Sequence, residues 1–143
     1  MIPAFDHTGN LPEGIYEATL EEFEQRFAYT VWRKKLFDRM LVLINDLRTI
    51  GCRTLFVDGS YVTNTRIPHD YDACWDNRSI DTGKFQQYPG LNPQNRAVQK
   101  RLYSADVFPA FIRETRSGML FIDFFQTDKE SKMKKGIVKL EIQ

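Results

Sequence analysis

The stretch "LFVDGSYVTNTRIPHDYDACWD", residues 55–76, decides which fold class and which kind of site this chain is expected to have. It opens on the apolar run 55–57, and a short apolar run bounded by a turn signal is typical of a buried strand. The predicted strand covers residues 53–58 and ends at Gly59 and Ser60. Glycine lets the backbone approach a ligand closely, and a serine hydroxyl beside a helix N-terminus can donate to a phosphate.

Two aspartates follow, with nine residues between Ser60 and the first of them. Asp70 and Asp72 are one residue apart in a second predicted strand, residues 70–75. Alternate residues of a strand point to the same face, so the two carboxylates should lie roughly 7 Å apart on one side of the sheet. Such a pair can bind two Mg²⁺ ions roughly 4 Å apart, the arrangement that neutralises phosphates and activates an attacking hydroxyl.

A third carboxylate is expected from the apolar segment 119–126, "MLFIDFFQ", which we interpret as a strand. Asp123 is the only charged residue in it. Burying an unpaired carboxylate is costly, and a metal ion would explain its presence there. A salt bridge to a neighbouring Arg or Lys is the alternative.

The combination of strand, Gly59-Ser60, Asp70-x-Asp72 and a later acidic residue resembles the polymerase-beta-type nucleotidyltransferase superfamily. In size the chain is most similar to its minimal stand-alone members, which occur in bacterial toxin–antitoxin pairs. The two ends, residues 2–27 and 121–142, resemble a family of small uncharacterised bacterial proteins with a predicted nucleotidyltransferase-like fold.

This resemblance implies a role for each residue of the motif. Gly59 and Ser60 would hold the triphosphate, with Arg66 as a further nucleotide-binding residue. The catalytic and metal-binding residues would be Asp70, Asp72 and Asp123. The implied cofactor is Mg²⁺ or Mn²⁺.

The rest of the chain is expected to alternate helices and strands. The T-x-x-E pattern that begins at Thr19 predicts a helix start, and a three- and four-residue apolar spacing predicts a long helix, or two, ending near Gly51. The polar stretch 76–94 is interpreted as a loop, 95–104 as a short helix and 137–142 as a final strand. The apolar stripe of the long helix comprises Leu36, Met40, Leu43, Ile44 and Leu47.

Basic residues offer candidate phosphate contacts, for which solvated surface charge is the alternative. Beside Arg66, these are the three cations of the predicted helix 95–104. The lysine run near residues 129–135 resembles a nucleic-acid contact, but Asp128 and Glu130 dilute it, so we interpret it as a solvated loop.

Composition sets the class of protein. The 143 residues suit one domain, residues 1–143, and 42% hydrophobic residues suffice for a core. With 20 basic against 19 acidic residues, there is no strong nucleic-acid signature. No apolar run is long enough for a membrane span, and the N-terminal residues do not read as a signal peptide. The two cysteines form no metal or disulfide pattern, so we expect a cytoplasmic protein.

We therefore expect an α/β (α+β) nucleotidyltransferase-like domain, with a short mixed sheet and helices mainly on one side. The expected activity is transfer of a nucleoside monophosphate from a nucleoside triphosphate to a hydroxyl of a protein or RNA acceptor, in a toxin–antitoxin or defence system. The alternative is a catalytically inactive binding module of the same fold that recognises a protein partner. The sequence does not specify an oligomeric state.

Overall fold

A computed structural model describes all residues 1–143 and contains one mixed sheet of five strands. In spatial order the strands are β1, β5, β2, β3 and β4. The β1–β5 and β3–β4 pairs are parallel, whereas β2 is antiparallel to both of its neighbours. The strands are β1 (Ile15–Ala18), β2 (Thr54–Asp58), β3 (Tyr71–Trp75), β4 (Ala105–Pro109) and β5 (Ile137–Glu141).

Five helices complete the fold, and the first two begin where the sequence predicts. Thr19 caps the first helix in a complete capping box with Glu22. The predicted apolar stripe is buried along the second helix, which ends two residues before Gly51. The helices are α1 (Leu20–Phe27), α2 (Val31–Thr49), α3 (Thr82–Phe85), α4 (Arg96–Tyr103) and α5 (Phe121–Phe124).

The two faces of the sheet are covered unequally. Alternate residues such as Leu55 and Val57 contribute to the main core, which also includes residues of α1 and α2. The opposite side carries a smaller apolar cluster that contains Phe56 and Cys74 of the sheet and Ile122 of α5. Covering on both faces explains why β2 reads as an unbroken apolar run. The mixed α+β class predicted from the sequence is confirmed.

Several segments differ from the predictions. Residues 105–109 form β4, a strand that the sequence analysis did not predict, directly after α4. The chain reverses there because Ser104 adopts a left-handed conformation, with φ of 56°. The strand predicted at 119–126 is wrong: its centre is the single helical turn α5. The stretch 76–94 is also not wholly loop, because it contains α3 and a 3₁₀ turn.

None of the helices combines the length and the apolar character needed to cross a membrane.

Candidate functional site

A row of three aspartates crosses one end of the sheet. Asp58 on β2 is paired in register with Asp72 on β3, and Asp72 is paired with Asp106 on β4. Directly paired residues of neighbouring strands project from the same face, with Cβ atoms about 5 Å apart. The three carboxylates therefore lie side by side on the face that also carries Phe56 and Cys74.

Asp70 lies beside this row, two residues before Asp72 in the chain. Lys100 of α4 connects it to β4, because Lys100 Nζ lies 2.5 Å from Asp70 Oδ2 and 3.1 Å from Asp106 Oδ2. Arg96, one turn earlier in α4, lies 3.3 Å from the other oxygen of Asp106. The negative charges of Asp70 and Asp106 are thus paired with two cations of one helix, Arg96 and Lys100.

Asp58 is the most deeply buried carboxylate of the cluster, only 2% exposed. Lys135 Nζ lies 3.3 Å from Asp58 Oδ1, yet this buried oxygen accepts no hydrogen bond. Burial raises the pKa of Asp58, although Lys135 and the Gly59 amide oppose the shift. A buried, incompletely satisfied carboxylate oxygen is costly, so it marks the position as a functional candidate.

Asp72 has no ion-pair partner within the cluster. Burial, followed by repulsion from Asp58, Asp70 and Asp106, raises the pKa of Asp72 to about 6. A carboxyl group that binds its proton this tightly is characteristic of sites that bind cations or exchange protons.

Two cavities meet at Asp72. The first, of about 650 Å³, is lined by Asp58 and Asp72 together with several cations. The second, of about 550 Å³, extends over Asp106 and has aromatic walls. The cations of the first cavity, here called the basic cavity, are Arg116, Lys129, Lys132 and Lys135. The aromatic side chains of the second, here called the aromatic cavity, are Phe108, Phe121, Phe124 and Phe125.

Gly59 packs its backbone against the Asp72 carboxylate. A Cβ atom at position 59 would lie 2.7 Å from Asp72 Oδ2, and the backbone has φ of +83°. Only glycine adopts this conformation without strain. The glycine predicted to allow close approach is therefore required here, and the group it approaches is a carboxylate of the candidate site.

We expect Gly59→Ala to lower the free energy of unfolding by about 1–3 kcal/mol from backbone strain, and further through contact with Asp72. Gly118→Ala is the matched control, because Gly118 has φ of +72° but no atom within 4 Å of an added Cβ. Urea denaturation of both variants separates strain from contact. Equal losses in the two variants would contradict a close approach of Gly59 to Asp72.

The other residues predicted to bind nucleotide are less closely associated with the cluster. Ser60 is half-buried and begins a 3₁₀ turn, where its carbonyl accepts hydrogen bonds from the amide and hydroxyl of Thr63. Arg66 is exposed in the loop before β3 and lines neither cavity. Their roles in binding nucleotide stay predictions.

Asp123 does not lie where its predicted role requires. It is exposed on α5 rather than buried in a strand, and it lines neither of the cavities that meet at Asp72. The burial argument made for Asp123 from the sequence is therefore wrong. The carboxylate that the fold places beside Asp72 is Asp106 of β4.

The donor atoms of the cluster fit a hard divalent cation, because all are carboxylate oxygens and the buried Asp58 Oδ1 accepts no hydrogen bond. In the present side-chain arrangement, no three acidic, histidine or cysteine side chains converge closely enough to hold an ion. Lys100 holds Asp70 and Asp106 in ion pairs. An ion bound by Asp70, Asp72 and Asp106 would therefore have to displace Lys100 from Asp70 and Asp106.

The sequence analysis missed several residues of this site. Asp106 was overlooked because β4 was not predicted, and Asp58 because it was counted only as the end of a strand. The lysine run was interpreted as a solvated loop, and Lys129 and Lys132 are indeed exposed, but nothing in the sequence indicated that they and Lys135 line the basic cavity. For Asp58 a signal was available in the sequence: the tripeptide Asp58-Gly59-Ser60 places a carboxylate directly before the glycine.

Comparisons with known proteins provide a family but no function. No curated protein and no solved structure is significantly similar to this chain. One family model, described as a family of unknown function (DUF6932), matches residues 3–141. Because this match spans nearly the whole sheet and every residue of the candidate site, the chain belongs to the DUF6932 family.

Proposed function

We propose that this protein is a metal-dependent nucleotidyltransferase with a nucleotidyltransferase-like fold, which transfers a nucleoside monophosphate from a nucleoside triphosphate to a hydroxyl of a protein or RNA acceptor. The observation that carries the proposal is the aspartate row, in which Asp72 lies between Asp58 and Asp106 and against the backbone of Gly59. Metal-dependent transfer from a triphosphate to a hydroxyl uses clustered carboxylates of this kind to hold divalent cations.

In this proposal Asp106, rather than Asp123, is the third carboxylate. Asp70, Asp72 and Asp106 would hold Mg²⁺ or Mn²⁺. When bound, the ion neutralises phosphate charge and polarises the phosphorus that is attacked. The close packing of Gly59 against Asp72 keeps that carboxylate in place at the junction of the two cavities.

The proposed reaction forms one bond to phosphorus and breaks one. The acceptor hydroxyl oxygen forms a bond to the α-phosphorus, the bond from this phosphorus to the bridging oxygen breaks, and pyrophosphate leaves with the electron pair. The hydroxyl proton passes to solvent, so that no carboxylate assigned to the ion has to act as the base.

The aromatic cavity supports a nucleotide as the substrate. Phe108 and Phe121 stack with ring centroids 4.4 Å apart and nearly parallel planes, beside Asp106. Aromatic faces bind flat bases by stacking, with little preference among them. A base in this cavity would leave its phosphates near Asp72, where the two cavities meet.

The decisive experiment incubates the purified protein with each α-labelled triphosphate, Mg²⁺ or Mn²⁺, and a lysate or RNA from its host. We expect label to enter a protein or RNA acceptor. Asp106→Asn should reduce transfer by at least about tenfold, because it removes a carboxylate that would hold the ion and so weakens neutralisation of the phosphate charge. Asp123→Asn, the matched control on α5, should leave transfer unchanged.

Each outcome has a defined meaning. Loss of transfer in Asp123→Asn with retention in Asp106→Asn would return the third carboxylate to Asp123. If no triphosphate labels any acceptor with either metal ion, the transferase proposal is abandoned.

The second candidate is a catalytically inactive module of the same fold that recognises a protein partner. The ion pairs favour it, because Lys100 and Lys135 together contact three of the four clustered aspartates. A site whose charges are balanced by its own lysines needs no metal ion for stability. Retention of a partner by the Asp72→Asn variant, without any transfer by the parent, would support this candidate.

A further inference from the structure

The segment of residues 127–135, here called the lysine loop, is an ordered turn rather than a solvated tail. Thr127 and Lys134 form an isolated bridge, and the Asp128 amide donates to the Met133 carbonyl at 2.8 Å. Lys132 adopts a left-handed conformation, with φ of 63°. A non-glycine residue in this conformation is strained, and such strain concentrates at functional sites.

The acidic residues that dilute the loop in sequence, Asp128 and Glu130, form no salt bridge with its lysines. The Asp128 side chain accepts hydrogen bonds from the amides of Glu130 and Ser131, within its own turn. Glu114, on the same cavity wall, likewise accepts from the amides of Arg116 and Ser117. Both carboxylates are therefore used in shaping loops.

Three cations of the basic cavity lack an ion-pair partner. Arg116, Lys129 and Lys132 form no salt bridge, whereas Lys135 is paired with Asp58. The lining as a whole is balanced in formal charge, because these four cations share it with the carboxylates of Asp58, Asp72, Glu114 and Asp128. A ligand of this cavity must therefore present an anionic group to the unpaired cations and a cation to the carboxylates.

The carboxylates that line the same cavity narrow the class of ligand. Asp58 and Asp72 line the same cavity, and they would repel an anion that arrived alone. A phosphate chain that carries its own divalent cation satisfies both sets of groups, since the cation meets the carboxylates and the free phosphate oxygens meet the lysines. Lysine binds phosphate as a compact point charge.

We propose that the lysine loop binds the terminal phosphates of the nucleoside triphosphate, through Lys129 and Lys132 and together with Arg116 of the same cavity. The identity of the ligand in this proposal rests on the proposed function. The lysine loop is then the element that holds the leaving pyrophosphate. The sequence analysis assigned binding of the triphosphate to Ser60 and Arg66. In this proposal the lysine loop shares that role or replaces them in it.

The test is calorimetric titration with inorganic tripolyphosphate and Mg²⁺, which requires neither transfer nor an acceptor. The parent should bind, and the double variant Lys129→Ala/Lys132→Ala should bind roughly tenfold or more weakly, because two charge-assisted contacts are lost. The control Lys84→Ala/Lys134→Ala has the same net charge but changes exposed lysines outside the cavity. It should bind like the parent.

A second variant distinguishes a loss of phosphate binding from a loss of folding. Glycine tolerates the left-handed backbone, so Lys132→Gly should melt at or above the temperature of the parent while binding tripolyphosphate more weakly. A single-stranded oligoribonucleotide serves as a competing polyanion in the same assay.

The proposal is overturned if the parent binds no tripolyphosphate, if the cavity and control variants weaken binding equally, or if the oligoribonucleotide binds more tightly than tripolyphosphate. Binding that depends on Lys129 and Lys132 without transfer of any nucleotide would support the phosphate site and remove the transferase. If the double variant transfers nucleotide with the same KM for the triphosphate as the parent, the transferase is supported and the lysine loop is excluded as its phosphate-binding element.

Discussion

Replacing Arg33 with methionine should lower the free energy of unfolding by about 3–5 kcal/mol. Arg33 lies on α2 and is completely buried, without a carboxylate partner. Its guanidinium instead donates to four backbone carbonyls, those of Phe27, Tyr61, Thr63 and Thr65. Three of these belong to the segment that directly follows Gly59 and Ser60.

The size of the effect follows from the carbonyls that methionine cannot satisfy. Each buried acceptor left without a donor costs about 1–3 kcal/mol, and water entry or local rearrangement recovers part of this cost. The Tyr61 hydroxyl, which donates to the Arg33 carbonyl at 2.9 Å, links the same two segments from the other side. Loss of Arg33 should therefore loosen the loop beside the candidate site before the rest of the sheet.

Urea denaturation measures the stability loss, and hydrogen exchange of residues 61–65 measures the local loosening. Arg39→Met is the control, since Arg39 is an exposed arginine of the same helix. Arg33→Lys keeps the charge but not the forked donor, so its stability should fall between the parent and Arg33→Met. A loss of less than about 1 kcal/mol in Arg33→Met would show that the four carbonyl contacts contribute little.

Replacing Asp72 with asparagine should stabilise the metal-free protein at pH 7 by about 2–3 kcal/mol. The pKa of Asp72 is raised from 3.8 to about 6, first by burial and then by the neighbouring aspartates. The native state therefore binds the proton more tightly than the unfolded chain. Ionisation of Asp72 costs stability progressively as the pH rises from about 4 to about 6, and asparagine avoids this cost.

The gain should be largest above pH 6 and should fall to a small remainder near pH 4, where Asp72 is protonated in the folded chain and about half protonated in the unfolded chain. Denaturation of parent and variant at pH 4 and pH 7.5 tests both parts. Asp123→Asn, in an exposed position, should change stability at neither pH. Equal stabilisation of Asp72→Asn at the two pH values would rule out relief of ionisation as the cause.

Magnesium provides an independent measurement on the same pair of proteins. An ion that binds only the native state raises the melting temperature by mass action. The parent should therefore melt higher with Mg²⁺, while Asp72→Asn should respond less. A variant stabilised by Mg²⁺ as much as the parent would exclude Asp72 as a ligand, whatever its effect on stability without metal.

Much of the architecture was predictable because its signals are local. The capping box at Thr19, the apolar spacing of α2 and the apolar run of β2 each depend on a few neighbouring residues, and each prediction is confirmed. The conformation of Gly59 was predictable for the same reason, since a glycine directly after a buried strand indicates a turn or a close approach.

Two errors of secondary structure have separate physical causes. Segment 119–126 is apolar because it covers the small cluster on the second face, and a helical turn buries Ile122 and Phe125 as well as a strand would. Short apolar runs do not distinguish these possibilities. β4 was missed because only Ser104 separates it from α4 and because its alternate positions are half-buried rather than exposed.

The sequence by itself determined that Asp70 and Asp72 share a face, that Gly59 precedes them in a tight turn, and that the chain forms a mixed α+β fold. Only the tertiary structure decided which further side chains join them. The antiparallel register of β2 with β3 brings Asp58 to Asp72, the parallel register of β3 with β4 brings Asp106, and the lysine loop contributes its cations. Strand register is set by packing between residues that are distant in the chain, so no local pattern encodes it.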